Sequence, residues 1–326
     1  MDKIKIAVIG LGNMGRHHLR NYSELPNVKV VAVCDVQDAI IKKAEEQYNC
    51  KGYTNLDEML AKEELDAVSI VAPTRLHHEI ALKVIDKNIN LLIEKPIADS
   101  SEKAEEIIRA AKAKNLTLMI GHIERFNPAV RKLKEIVDSG AIGKITSIIA
   151  RRVGAFPAQI KDANVIIDLA VHDIDICSYI LDKQPSSVIG NAGKAIASDR
   201  EDYAEIFLTY GDQNAFIQVN WITPIRIRNL AVTGTKGYID LNYMTQELVM
   251  YESNYSQDFD NFGDYIIKFG NPNKKDVKLE KQEPLRQELS HFIDCVKNNK
   301  TPLITGENGI NALNTALEVM KQMKML

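Results

Sequence analysis

Residues 4–15 read Ile4-Lys5-Ile6-Ala7-Val8-Ile9-Gly10-Leu11-Gly12-Asn13-Met14-Gly15, an apolar run that passes straight into a glycine-rich turn. The run is a strand and the residues after the turn have helical character, so a Gly-x-Gly-x-x-Gly pattern stands between strand and helix. In that context each glycine has a task. Gly10 makes the tight turn, Gly12 lets backbone N–H groups approach a pyrophosphate, and Gly15 permits close packing of helix on strand. Asn13 and Met14 complete the loop at the positive end of the helix dipole. Asp35 lies 20 residues past Gly15, at the end of the next apolar run. A carboxylate there accepts hydrogen bonds from ribose hydroxyls and repels a 2′-phosphate, so the pattern predicts NAD rather than NADP.

Outward from this loop, short apolar runs at 4–9, 28–34, 67–72, 90–93 and 116–120 alternate with helical patterns. That alternation predicts a parallel sheet. Asn55 with Glu58, and Asp99 with Glu102, have the spacing of capping boxes. Residues 1–122 therefore read as a doubly wound, Rossmann-type α/β domain that binds NAD. Beyond it the rhythm changes. Pro128 opens a helix to about Asp138, a strand follows from Ile145 to Arg152, a helix from about Ile167 to Leu181, and then mostly strands between Ala204 and Tyr251. Two more helices are expected near Leu285 to Lys297 and Gly309 to Lys324, and residues 252–276 form an insertion without assigned structure. Residues 123–326 thus read as one α+β domain for substrate binding and oligomerisation. Its large, mostly antiparallel sheet is open on one face, which predicts a homodimer or homotetramer.

The chain has 326 residues, 45% hydrophobic and 26% charged, with a formal net charge of −3. This length suits two domains with cores of their own and excludes a mini-protein held by staples. A pI near 6.2 and scattered basic residues give no footprint for nucleic acid or an anionic membrane. No window approaches the run of roughly 20 apolar residues that spans a bilayer. The N-terminal segment lacks a signal peptide's cleavage site. The expectation is a cytoplasmic protein with a small-molecule partner. Cys34, Cys50, Cys177 and Cys295 are widely spaced, which predicts buried reduced thiols and no metal site.

Two constellations carry chemistry. Glu94-Lys95-Pro96 follows the strand at 90–93, so Lys95 arrives at the carboxyl edge of the sheet, where ligands of open α/β folds bind. Pro96 restricts Lys95 and is a candidate for a cis bond, while Glu94 either anchors the turn or meets the cofactor. A solvated surface lysine is the alternative. Ala72, Pro73, Thr74 and His77 line the same crevice, with Thr74 also placed to cap the next helix. The second constellation is Asp168 and His172, four apart and so on one helical face, which Asp175 continues. A carboxylate one turn from an imidazole orients the ring for proton transfer near neutrality. A purely structural pair is the alternative, and a metal reading lacks a third ligand. Arg151 and Arg152 either clamp a phosphate or end a strand. His17 and His18 are expected to pack or face solvent.

Taken together, the N-terminal glycine loop, the Glu-Lys-Pro turn and the later Asp-x-x-x-His helix resemble the Gfo/Idh/MocA oxidoreductase family. The likeness extends to GHIERFNP at 121–128 and TGENGINAL at 305–313. It implies that Lys95 contacts substrate and nicotinamide and that Asp168 and His172 bind and deprotonate a substrate hydroxyl. Where many members carry glycines, this chain has Asn164, Val165 and Ala170. Residues 151–176 are most similar to a subgroup that oxidises UDP-N-acetylglucosamine to a 3-keto sugar nucleotide, which implies a diphosphate for Arg151 and Arg152 to meet. A dehydrogenase of a free polyol or sugar, and a non-catalytic NAD-binding regulator, are the other readings.

Overall fold

The computed structural model describes residues 3–156, 163–259, 262 and 264–323. The expected helix end at Lys324, and residues 157–162 of the stretch compared above, lie outside them. The chain divides into two compact units, Met1–Ile123 with Glu283–Asn314, and Glu124–Gln282 with Thr315–Leu326.

The first unit runs β1 (Ile4–Ile9), α1 (Asn13–Glu24), β2 (Val28–Cys34), α2 (Asp38–Tyr48), β3 (Lys51–Tyr53), α3 (Leu56–Lys62), β4 (Ala67–Ile70), α4 (Thr74–Asp86), β5 (Asn90–Glu94), α5 (Ser101–Ala113) and β6 (Leu118–Gly121). Its six strands lie in the order β3-β2-β1-β4-β5-β6, all parallel. Strands covered on both faces need continuous apolar runs, and β4 and β6 are buried at every residue. The order reverses between β1 and β4. The carboxyl ends of those two strands therefore flank the crevice in which open α/β sheets hold their ligands. The caps match the sequence at Asn55, whose side chain accepts the Glu58 N–H at 3.0 Å. At α5 the cap is Ser100 instead of Asp99, which forms an ion pair with Lys103 one turn on.

The second unit holds a 3-10 turn (Ile123–Phe126, its first residue in unit one), α6 (Pro128–Asp138), β7 (Ile145–Ala155), a π-helix (Ile166–Ala170) and α7 (Val171–Leu181). Then come β8 (Ser187–Gly193), β9 (Tyr203–Tyr210), β10 (Gln213–Asn220), β11 (Ile222–Gly234), β12 (Gly237–Asn242), β13 (Glu247–Glu252), β14 (Tyr255–Phe259), β15 (Tyr265–Phe269) and β16 (Asn273–Val277). Eight strands form one sheet, β16-β13-β12-β11-β7-β10-β9-β8, with only the β10–β7 pair parallel. The hairpin β14–β15 is a separate two-stranded sheet. Helices cover one sheet face. On the other, the ladder aligns Ile189, Phe207, Phe216 and Ile149 in one exposed row.

The expected single break near residue 122 needs correction, because helix α8 (Pro284–Asn298) and the start of α9 (Gly306–Met323) belong to the first unit. Contacts fix them there. The Ile120 N–H donates to the Ile304 carbonyl at 3.2 Å, and Gly309 lies so close to Ile120 that a Cβ on it would sit 2.8 Å from Ile120 Cγ1. Arg20 and Arg286 form ion pairs with Glu283 and Glu24 across α1 and α8. All four cysteines are free thiols, three of them buried.

Candidate active site

The glycine loop has the three environments that a dinucleotide requires. Gly10 has φ +92°, and a Cβ there would meet the Val71 and Ala72 backbone at 2.7 Å, so the turn presses against the end of β4. A Cβ on Gly15 would fall 1.9 Å from the Gly10 carbonyl oxygen, so α1 packs directly on the turn. Gly12 is the opposite case: among the described residues nothing lies within 4 Å of its Cβ position, and it caps α1 without a side-chain bond. The first turn of α1 carries no acid. Open space beside unsatisfied helix N–H groups is where a pyrophosphate fits. Asn13 is exposed and Met14 half-exposed at that same helix start. Asp35 follows β2 and accepts the Leu11 N–H at 2.7 Å and the Gln37 N–H at 2.9 Å. Two bonds leave acceptor capacity on its oxygens for ribose hydroxyls. The residues fit a bound dinucleotide.

The ends of β4 and β5 supply the next layer. Ala72, Pro73 and Thr74 lie at the crevice, with Pro73 at the N-cap of α4 and Thr74 its first residue, so Thr74 does not cap the helix. His77 is 1% exposed, and its ring nitrogens face the carbonyls of Pro96 (2.9 Å) and Ala72 (2.8 Å). Burial pushes its pKa down. This corrects the expectation that His77 meets cofactor: it braces the Glu94-Lys95-Pro96 turn against β4. Lys95 is half-exposed at the carboxyl end of β5, and the Lys95–Pro96 bond is cis. Glu94 likewise turns inward. Its carboxylate meets His18 Nε2 at 2.9 Å and accepts the Lys95 N–H at 3.2 Å, so the side chain anchors the turn. Burial pushes the Glu94 carboxyl up, but the His18 bond and charge, with Lys95, outweigh it and bring it down.

His18 packs, one of the two outcomes expected of it, on the buried face of α1 with Gly15, Leu19 and Tyr22, and its bond to Glu94 was not foreseen; one further participant escaped the sequence reading altogether. Glu288 on α8 is fully buried with neither carboxyl oxygen hydrogen-bonded among the described residues. Burial, then the Glu94 charge, pushes its pKa well above the carboxylate range.

In the second unit, Asp168 lies within the π-helix and His172 in the first turn of α7, both half-exposed. The widened turn is a frequent companion of functional sites, and it inserts a residue's worth of slack between the two. Asn164, one of the residues that stand here in place of the glycines of the family the chain resembles, holds the start of this helix. Its side-chain oxygen accepts the Ile167 N–H at 3.1 Å and its amide donates to Glu201 at 2.9 Å. Asp175 does not join the pair. It is 2% exposed and bonded twice to Arg125, at 2.6 and 2.8 Å.

Arg152 is also reassigned. It is 4% exposed, with Nε and Nη2 on Asp173 at 2.8 and 2.9 Å and Nη1 on Glu124 at 2.7 Å. A guanidinium so committed is a core ion pair, not a diphosphate clamp. Arg151, its neighbour on β7, necessarily projects to the other sheet face, away from α7, so it too leaves the Asp168–His172 neighbourhood. The result is that the segment at 124–127 locks α7. Glu124 reaches it through Arg152, Arg125 bonds Asp175 and lies 4.7 Å from the Tyr179 ring, and Asn127 donates to the Tyr243 carbonyl at 3.0 Å. Among the described residues no cluster of His, Cys, Asp and Glu is arranged to hold a metal ion, and no helix is long and apolar enough to cross a membrane.

Comparison with known proteins gives the family. Residues 4–122 match a family model described as the Gfo/Idh/MocA oxidoreductase family with an NAD-binding Rossmann fold, and residues 130–240 match the Gfo/Idh/MocA C-terminal domain. The chain is 27% identical over 322 residues to UDP-N-acetylglucosamine 3-dehydrogenase of Acidithiobacillus ferrooxidans, covering 98% of this chain and 97% of that one. A solved structure of that enzyme superimposes with a TM-score of 0.86 over 100% of this chain and 99% of that one, at 25% identity. The chain is also 28% identical over 336 residues to scyllo-inositol 2-dehydrogenase (NAD(+)) of Bacillus subtilis, covering 96% and 94% of the two chains. With both domain models matched in order and whole-chain relatives of the same kind, the chain belongs to the Gfo/Idh/MocA oxidoreductase family.

Proposed function

We propose that the protein is a cytoplasmic, NAD-dependent dehydrogenase that oxidises a hydroxyl of a sugar nucleotide to a ketone, with UDP-N-acetylglucosamine converted to its 3-keto form. The observation that carries this reading is the presence of all three polar groups the oxidation needs. Lys95 is half-exposed at the end of β5, and Asp168 and His172 are half-exposed on a helix start that two buried arginines immobilise. NAD, when bound, supplies the hydride acceptor. His172 takes the proton of the substrate hydroxyl as its carbon becomes a ketone, and Asp168 orients the imidazole or the sugar. The Lys95 ammonium stabilises the negative charge developing on the oxygen, the kind of contribution that dominates many such sites.

The test is a pair of variants. Lys95→Ala and His172→Ala each retain NAD binding while kcat falls by about 10²–10⁴. Wild-type turnover in either purified variant contradicts the assignment. A second reading, oxidation of a free polyol, is favoured by the inositol dehydrogenase relative. The exposed row Ile189, Phe207, Phe216 and Ile149 supports association of identical chains through the open sheet face, as dimer or tetramer.

A further inference from the structure

The corrected places of Arg151 and Arg152 leave a sugar nucleotide's diphosphate without a partner, and β11 offers one. The ladder pairs Arg228 with Arg152, so both project toward the helix-bearing face. Arg152 is saturated there by Asp173 and Glu124. Arg228 is not. Its Nη1 donates to the main-chain carbonyls of Val153 (3.2 Å) and Ile227 (3.4 Å), and among the described residues no carboxylate lies within ion-pair distance.

Just upstream the register slips, Ile222 facing Ala155 but Ile227 facing Val153, so residues 223–226 bulge out of the ladder. Bulges re-aim side chains and concentrate near active sites. This one lays Arg226 over Gly154, with its Cγ, Cα and Cβ 3.7, 3.8 and 3.9 Å from where a Gly154 side chain would begin. Gly154 is on the same strand face as Arg152, two residues away, which puts Arg226 beside Arg228. Arg226 is exposed and, among the described residues, makes no ion pair or hydrogen bond. Burial, then the charges of Arg152 and Arg226, pushes the Arg228 guanidinium down to about 10, while Asp173 and Asp168 act in the opposite sense. Two like charges at a half-buried place gain from an anion, and guanidinium groups take phosphate oxygens in pairs.

We propose that Arg226 and Arg228 form an anion subsite that takes the diphosphate of the substrate and sets its sugar beside Asp168. The inference rests on the sugar-nucleotide reading above, since a free polyol brings no anion to this pair.

The experiment is calorimetric titration of UDP, and of uridine as the uncharged probe, into the full-length protein with NAD present. Wild type is compared with Arg226→Gln, Arg228→Gln and Arg151→Gln, and the melting temperature of each is recorded. The expected result is UDP affinity about tenfold weaker or more in Arg226→Gln and in Arg228→Gln, unchanged in Arg151→Gln, and uridine affinity the same in all. If Arg228→Gln does not fold, the exposed Arg226 carries the comparison. UDP that binds both variants as tightly as wild type overturns the subsite and leaves the sugar-nucleotide reading standing. UDP that fails to bind wild type, with NADH formed from inositol, overturns both.

Discussion

Glu94 and Glu288 are both buried in the first unit, yet they meet opposite fates. His18 and the turn itself hold the Glu94 charge, whereas Glu288 has, among the described residues, no hydrogen bond to favour its carboxylate and keeps its proton. The unfolded chain releases that proton above about pH 4.3, so above this pH the native state binds more protons than the unfolded state. Stability conferred by Glu288 is therefore complete at acid pH and falls as pH rises toward its native pKa, by up to about 1.4 kcal/mol per pH unit. Thermal unfolding of wild type and Glu288→Gln between pH 5 and 8 checks this: wild type loses ground steadily relative to the variant, and parallel curves contradict it. At this scale Lys95, Asp168 and His172 could be named as candidates from sequence, because each sits at a fixed distance from a strand end or a helical neighbour. The opposite directions of Arg151 and Arg152 were not legible. Adjacent strand residues face opposite ways, and what claims Arg152 is Asp173, one of two buried acids on α7. Those two acids were the available sign that this helix needed buried cations.

Elements were legible in proportion to their apolar periodicity. The glycine loop, five strands of the parallel sheet and the main helices stand out because their patterns are long and repetitive. β3 spans three residues and β8 alternates weakly, so neither rises above the surrounding polar sequence. Residues 252–276, left without structure, contain β14, β15 and most of β16, all largely exposed and thus lacking a buried face to reveal them. The π-turn under Asp168 has no sequence signature that periodicity of 3.6 detects. Within the loop the three glycines make separable predictions. Gly12→Ala leaves the melting temperature unchanged and weakens NAD binding, since its Cβ enters only the space for pyrophosphate. Gly15→Ala lowers the melting temperature of the protein without NAD, because its Cβ collides with the Gly10 carbonyl. Equal melting temperatures for both variants would contradict this division of tasks.

For the whole molecule, the sequence marked one change of rhythm but not the return of residues 283–314 to the first unit. That return depends on contacts between residues far apart in sequence, such as Ile120 with Ile304 and Gly309. The open sheet face was foreseen from the surplus of half-apolar strands. If it joins identical chains, Phe216→Asp and Phe207→Asp reduce the mass measured by light scattering to that of one 36.6 kDa chain, and an unchanged assembly rejects this surface. The central claim concerns substrate, and one assay addresses it: NADH formation by the purified protein with NAD and UDP-N-acetylglucosamine, beside UDP-glucose, glucose and inositol, with a transaminase and glutamate present to trap the ketone. The account predicts turnover on UDP-N-acetylglucosamine and none on the free polyols. Turnover on inositol or glucose alone contradicts it.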